Sequence, residues 1–245
     1  VVERLGDDRV LLDAHTHIGA NDPDGMACSA EELEAALALA SARGVVFPMH
    51  EPDGYRRAND ELLETARRSD GRLTAFARVD PRADGVGEAE RALDAGARGI
   101  KLHPRAERFS LHDPEVEPLF ALAHERRVPV ICHAGRGIPA LGRDALVLTA
   151  RYPRAQLILA HAAICDLAWL WTEAAAHPNL LVDTAWWNPG DLLALFSLVP
   201  PGQILFASDA PYGTPLQAAI LTTRCALQAG LDAAQLRWVM GAQLE

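Results

Sequence analysis

The chain alternates between short apolar runs, typical of buried strands, and longer segments with helical periodicity. Eight strands are predicted, over residues 10–18, 45–50, 73–80, 98–104, 128–135, 156–162, 180–186 and 203–210. Eight helix-length segments follow them in turn, over residues 29–43, 55–69, 87–97, 114–127, 140–152, 166–177, 189–199 and 215–229. Strands that alternate with helices favour a parallel sheet. Eight such units within 245 residues predict a closed (β/α)8 TIM barrel.

No low-complexity linker or block of like charge interrupts this alternation. We therefore expect one barrel domain over residues 1–245, with its last helix cut short at Glu245. A doubly wound open sheet is the alternative architecture. It is less favoured because eight units of similar length suit closure, and because no glycine-rich phosphate turn follows the first strand.

The amino-acid composition excludes some classes of binding partner. Of the 245 residues, 49% are hydrophobic, and the formal net charge is −10. An acidic protein with this core is not expected to bind nucleic acid or an anionic membrane. The expected partner is a small-molecule substrate, and a homodimer is the assembly considered. The four cysteines form no C-x-x-C pair, and neither a spanning segment nor a signal-peptide pattern is evident, so we expect a cytoplasmic protein.

Lysine is almost absent from the chain. The 23 basic residues comprise arginines and a single lysine, Lys101. Arginine can replace lysine as a surface cation, but it cannot be carbamylated or act readily as a neutral amine. A chemical role for Lys101 is therefore predicted. The alternative is that the composition is biased towards arginine and that one lysine is present by chance.

Polar side chains stand where five of the predicted strands end. They are His15 and His17 on the first strand, Lys101 and His103 on the fourth, His133 on the fifth, His161 on the sixth and Asp209 on the eighth. In a TIM barrel the active site lies at the carboxyl ends of the strands. Burial of so many polar groups is costly unless a partner satisfies them, and a divalent cation satisfies imidazoles and carboxylates together. The pattern therefore predicts a metal centre, with hydrogen-bonded core histidines as the alternative.

The motifs DAHTHIG, GIKLHP, ICHAG, ILAHA and FASDAPYG follow one another along the chain. Together they resemble the amidohydrolase superfamily, and within it the amidohydrolase-2 branch of metal-dependent TIM-barrel hydrolases. The resemblance implies metal ligands at His15, His17, Lys101, His133, His161 and Asp209. It also implies that Asp209 shuttles a proton and that His161 either binds a second ion or activates the water. Lys101 matches the lysine that some relatives carbamylate to bridge two ions.

Zn²⁺ is the expected ion, as one or two per chain, because imidazole with carboxylate suits it; Mn²⁺, Fe²⁺, Co²⁺ or Ni²⁺ fit the same ligands. The implied reaction is hydrolysis of a small amide, lactone or other cyclic carbonyl compound by activated water. The alternative within the family is a nonoxidative decarboxylase or hydratase of a small unsaturated or aromatic acid. That alternative predicts one ion, an unmodified Lys101 and a flat apolar pocket. A Schiff base at Lys101 and a non-catalytic metal protein are two further hypotheses.

Residues in the loops after the strands are candidates for substrate binding. The candidates are His103, Arg105, Arg136, Trp186 and Tyr212. Arginine pairs with a carboxylate through a fork of two hydrogen bonds, and aromatic rings suit a flat substrate. Cys132 is expected to point into the helix layer, so a nucleophilic thiol is not predicted.

Overall fold

A computed structural model describes residues 11–135 and 137–244 of the chain. Its strands, which pair in parallel, are β1 (Leu11–Ile18), β2 (Ala42–Pro48), β3 (Leu73–Ala75), β4 (Ala77–Arg78), β5 (Ile100–Leu102), β6 (Val130–Cys132), β7 (Leu157–Leu159), β8 (Leu180–Asp183) and β9 (Ile204–Leu205). Its α-helices are α1 (Ala30–Leu39), α2 (Arg56–Arg68), α3 (Gly85–Asp94), α4 (Pro104–Glu107), α5 (Glu117–Arg126), α6 (Gly142–Arg151), α7 (Leu167–Leu170), α8 (Pro189–Leu198), α9 (Pro215–Gln228) and α10 (Ala233–Arg237). Within the described residues, no helix is long and apolar enough to cross a membrane.

The strands form a closed barrel. β3 and β4 are two parts of its third strand, and they join a three-stranded sheet (β1–β3) to a six-stranded sheet (β4–β9). The first and last strands are linked by backbone hydrogen bonds. The N–H of Ala14 donates to the Phe206 carbonyl, and that of Asp209 donates to the His15 carbonyl, both at 2.9 Å. The predicted (β/α)8 barrel is therefore confirmed.

Buried apolar side chains form two groups, one inside the barrel and one between the strands and the helices. The inner group is Leu12, Ala14, Val45, Phe47, Phe76, Ile131, Ile158, Ala160, Leu181, Ala185, Leu205 and Ala207. Ile131 belongs to the inner group, whereas its neighbours Val130 and Cys132 belong to the outer one. This is the alternation expected of a strand with two buried faces. It confirms that Cys132 points towards the helices.

A register shift in β1 turns both histidines of that strand into the barrel. Because Ala14 belongs to the inner group, strict alternation would send His15 and His17 outwards. The pairing of β1 with β2 shifts by one residue before Thr16. Both imidazoles then pack on the ring of Phe47, at centroid distances of 5.1 Å and 4.5 Å. Irregularities of this kind re-aim side chains next to active sites.

The helix predicted over residues 166–177 is replaced by the short helix α7 and a 3₁₀ turn (Ala174–Ala176). Asp166 explains part of this difference. Its carboxylate accepts the N–H groups of Leu141 and Gly142 at 2.8 Å and 2.9 Å, where α6 begins. Asp166 was expected at the start of a long helix, but its side chain instead caps the start of α6.

The third strand, predicted as continuous over residues 73–80, is interrupted after Ala75 and is fixed from outside by Asn59 of α2. Asn59 is 1% exposed. Its Oδ1 accepts the Arg78 N–H, and its Nδ2 donates to the Arg78 carbonyl, both at 3.0 Å. The guanidinium of Arg78 donates to the Pro48 carbonyl and to Glu107. Asn59 therefore holds a strand that carries a buried cation.

We expect Asn59→Ala to lower the free energy of unfolding by about 2 kcal/mol, because it leaves the buried N–H and carbonyl of Arg78 without partners. Chemical denaturation monitored by circular dichroism measures the change. Glu61→Ala is the matched control on the same helix, since the Glu61 side chain forms an exposed pair with Arg57. The control should change stability by less than about 0.5 kcal/mol. Equal stability of the two variants would contradict the role of Asn59.

Candidate active site

A cavity of about 560 Å³ lies at the carboxyl ends of the strands. It brings together most of the predicted site residues, namely His15, His17, His103, Arg105, His133, His161, Trp186, Asp209 and Tyr212. Its size falls in the range of small-ligand pockets. Lys101 is completely buried and is not among the described lining residues. Arg136 lies outside the described residues.

Three side-chain atoms converge in this cavity. Nε2 of His15 lies 3.2 Å from Nε2 of His17, and each nitrogen lies 3.0 Å from Oδ1 of Asp209. Ligand atoms bound at 2.0–2.1 Å to one cation lie about 3 Å apart. The three residues also supply the imidazole and carboxylate donors that transition-metal ions prefer. The donor set therefore fits one divalent cation.

Asp183, which the sequence analysis did not select, fixes His15 for this role. Its Oδ2 accepts a hydrogen bond from Nδ1 of His15 at 2.8 Å, and the carboxylate is fully buried. In neutral His15 the proton would therefore lie on Nδ1, which leaves the lone pair of Nε2 for a cation held together with Asp209. A carboxylate behind an imidazole is the usual support of a metal-binding histidine.

The charges in the cluster shift the pKa values of its members. Burial alone would raise the pKa of Asp209, but His15 and His17 hold that pKa well below its usual range. Burial lowers the pKa of His17 to about 3, against the opposing effect of Asp209. Asp209 is therefore ionised and His17 is neutral, which are the protonation states that metal ligands require. Burial and the charge of Lys101 oppose a proton on His15, but Asp209 and Asp183 raise its pKa, so a bound cation would take the place of a proton there.

His133 and His161 form a second pair beside the cluster. Nε2 of His161 lies 3.2 Å from Nδ1 of His133. His161 adopts a left-handed backbone conformation with φ of 56°, and its N–H donates to Asp183 at 2.8 Å. Nε2 of His133 is buried and finds no hydrogen-bond partner among the described residues. A Cβ on Gly135 would lie within 3.0 Å of both rings, so this position leaves room for them only as glycine.

Lys101 is buried among the inner side chains. Its Nζ lies 4.3 Å from the ring centroid of Phe47 and has no hydrogen-bond partner within residues 11–135 and 137–244. Burial, reinforced by the charge of Arg78, lowers the pKa of Lys101 to about 8. An amine in this state is more readily neutral than an exposed lysine.

Aromatic side chains border the cavity. Trp186 is 68% exposed and has a φ of 68°. Its ring centroid lies 6.3 Å from that of His161 and 6.4 Å from that of Tyr212. Tyr212 in turn meets His17 edge-on at 5.5 Å and donates its hydroxyl to Asp22. An exposed indole beside the donor cluster offers a flat apolar face to a ligand.

Basic residues also line the cavity. Arg105 and Arg108, from the short segment after β5, line the cavity together with Arg78. Arg78 forms a buried ion pair with Glu107 at 2.8 Å, and the hydroxyl of Tyr55 also donates to Glu107. The sequence analysis missed this ion pair, because the partners are far apart along the chain.

The sequence itself marks two buried carboxylates that the analysis did not select, Asp183 and Asp13. Asp183 stands alone in the apolar run LLVDTAW, as Asp209 does in FASDA. Asp13 precedes the first histidine, accepts the N–H groups of His15 and Ser208, and has a pKa raised to about 7 by burial. An acidic residue inside a buried strand requires partners, and that requirement marks both positions.

Solved structures share this fold, among them the three that follow. A TIM-barrel protein of unknown function from Bordetella bronchiseptica is 15% identical, with a TM-score of 0.77 and coverage of 96% of this chain and 97% of that chain. The 5-carboxyvanillate decarboxylase from Sphingomonas paucimobilis is 14% identical, with a TM-score of 0.73 and coverage of 96% and 97%. A dihydroxybenzoic acid decarboxylase from Polaromonas sp., solved with manganese and the inhibitor 2-nitroresorcinol, is 15% identical, with a TM-score of 0.73 and coverage of 95% and 94%.

No curated protein matches the chain. The family model described as Amidohydrolase, however, matches residues 12–242, which include every described residue of the donor cluster. The sequence motifs, the barrel and the converging donors agree with this match. The chain therefore belongs to the amidohydrolase-2 family of metal-dependent TIM-barrel enzymes.

Proposed function

We propose that this chain is a metal-dependent nonoxidative decarboxylase of a small aromatic or unsaturated carboxylic acid. The observation that carries the proposal is the flat aromatic border, formed by Trp186 and Tyr212, beside the donor cluster in one small cavity. Two proteins of similar fold are decarboxylases of hydroxylated aromatic acids, which supports the same assignment. This was the alternative to hydrolysis in the sequence analysis, and the fold neighbours favour it.

We infer that His15, His17 and Asp209 hold one divalent cation, with His133 as the further ligand that the family resemblance implies. Zn²⁺ and Mn²⁺ are the ions to test first, because the donors suit both and one neighbour contains manganese. The bound cation would supply positive charge for the oxygen atoms of the substrate.

The substrate is held by the chain's own side chains. Its ring lies against Trp186, and its carboxylate pairs with an arginine that lines the cavity, with Arg105 as the candidate from the sequence. Arg136, predicted for the same role, remains a candidate. His161 lies between the donor cluster and Trp186, where we expect it to contact the reacting carboxyl group.

Decarboxylation breaks one C–C bond and forms one C–H bond, so it needs a proton at the carbon that loses CO₂. We propose that Asp209 moves this proton. Its Oδ1 faces His15 and His17, whereas Oδ2 has no hydrogen bond among the described residues. The ionised carboxylate takes a proton from a hydroxyl group of the bound substrate and delivers it to the carbon that carries the carboxylate. The C–C bond then breaks and releases CO₂, and solvent returns a proton to the hydroxyl oxygen. Such general acid–base catalysis contributes about 10²- to 10⁴-fold to the rate.

Asp183→Asn should weaken binding of Zn²⁺ or Mn²⁺ by about 10- to 100-fold, because it removes the charged acceptor behind His15. Competition with a chromogenic chelator measures the affinity of the metal-free protein. His112→Ala is the control, since His112 is exposed and, within the described residues, pairs with Asp113 and Asp144. Unchanged affinity in a folded Asp183→Asn variant would exclude Asp183 as the support of a ligand.

The metal-loaded protein should release CO₂ from members of a panel of hydroxybenzoic and small unsaturated acids. In D₂O, the product should carry one deuterium at the carbon that lost CO₂, because the proton comes from an exchangeable group. Asp209→Asn should reduce the rate by about 10²-fold or more. Cys165→Ser is the control, since Cys165 is an exposed free thiol. Cleavage of amides or lactones without CO₂ release would instead assign the protein to the hydrolases.

The number of ions and the state of Lys101 separate the two reactions. For the decarboxylase we expect about one ion per chain and an intact mass without the roughly 44 Da of a lysine carbamate, measured without acidification. A carbamate with two ions would support the bridged hydrolytic centre that the family resemblance allows. Lys101→Arg, which cannot carry the carbamate, serves as the reference for the mass.

A further inference from the structure

His15 and His103 border the same cavity, but their hydrogen bonds select opposite tautomers. Nδ1 of His15 faces a carboxylate and must donate, which leaves a lone pair on Nε2. Nδ1 of His103 receives the backbone N–H of Ala106 at 3.3 Å. A backbone N–H can only donate, so Nδ1 of His103 carries the lone pair and its hydrogen lies on Nε2.

The ring of His103 is also fixed in orientation. It stacks on His133 with a centroid distance of 4.0 Å and an interplanar angle of 8°. Pro104 follows it directly and opens α4, which fixes the backbone at that point. The imidazole is therefore held both at its Nδ1 edge and across its face.

The Nε2–H of His103 is available to a ligand. Within the described residues, no group forms a hydrogen bond with Nε2. This atom is also not fully buried, so a ligand can reach it. His103 lines the cavity, so this N–H faces the space that the substrate would occupy. Arg105 and Arg108 line the same space and favour a negatively charged ligand there.

We propose that His103 is a specificity-determining residue whose Nε2–H donates to an anionic oxygen of the substrate, and that it neither binds the metal nor acts as a base. The proposal rests on the proposed function, because it assigns a contact to the same acid substrate. A nitrogen that carries a hydrogen has no lone pair for a cation, which separates His103 from His15. Hydrogen bonds to charged groups are among the stronger ones in proteins.

Two substitutions separate the donor role from a purely structural one. In His103→Asn, the amide oxygen can still accept the Ala106 N–H, but no donor reaches the position of Nε2. In His103→Gln, the longer amide can place an N–H near that position, but the acceptor for Ala106 is lost. A donor role predicts that the Gln variant resembles the wild type, whereas a capping role predicts that the Asn variant does.

The first readout is binding of 2-nitroresorcinol, an inhibitor of a fold neighbour, to the metal-loaded protein by absorbance titration. We expect affinity to fall about 10- to 100-fold in His103→Asn and to remain within about threefold of wild type in His103→Gln. His112→Asn is the control at an exposed histidine. Equal affinities of the wild type and both His103 variants, or no binding by the wild type, would overturn the proposal.

The second readout needs neither ligand nor turnover. Long-range ¹H–¹⁵N spectra of histidine-labelled protein, compared with those of His103→Asn, identify the signals of His103. We expect a protonated Nε2 and an unprotonated Nδ1; the reverse pattern would overturn the assignment. Absence of CO₂ release alongside the expected binding and spectra would count against decarboxylation alone, because both readouts are independent of catalysis.

Discussion

The carboxylate of Asp183 is the interaction on which the site depends. It is fully buried, and it accepts hydrogen bonds from the His15 ring at 2.8 Å, the His161 N–H at 2.8 Å and the Ala185 N–H at 3.0 Å. An ionised carboxylate inside a barrel is tolerated only with such partners. Because these donors come from three different barrel strands or their ends, one side chain sets both the orientation of the His15 ring and the backbone of His161.

The order of the barrel units and much of the site follow from periodicity. On the fifth barrel strand, simple alternation carries the inner face to the site, since Ile131 leads to His133. His15 reaches the same face only through an extra residue in its strand, and His161 only through a left-handed backbone. Neither the extra residue nor the left-handed backbone can be read from periodicity. For these two residues the sequence therefore predicts the correct cavity, but not the backbone geometry that directs their side chains into it.

Bonds between distant residues account for what the sequence could not predict. Asp166 binds the start of α6, and Asn59 holds the third strand at Arg78, so a predicted helix and a predicted continuous strand are both altered. The aromatic border of the cavity could not be predicted for a related reason, because the position of the Trp186 ring depends on a local backbone φ of 68°.

The burial of Lys101 has a practical consequence. It is the single lysine in the 245-residue sequence, and it is 0% exposed, so the folded chain presents no lysine amine to solvent. Amine-reactive reagents reach Lys101 only when the strands around it separate. The rate of its labelling then reports how often the barrel opens at its centre. The single lysine is therefore a built-in probe of local opening in the layer of the barrel that supports the site.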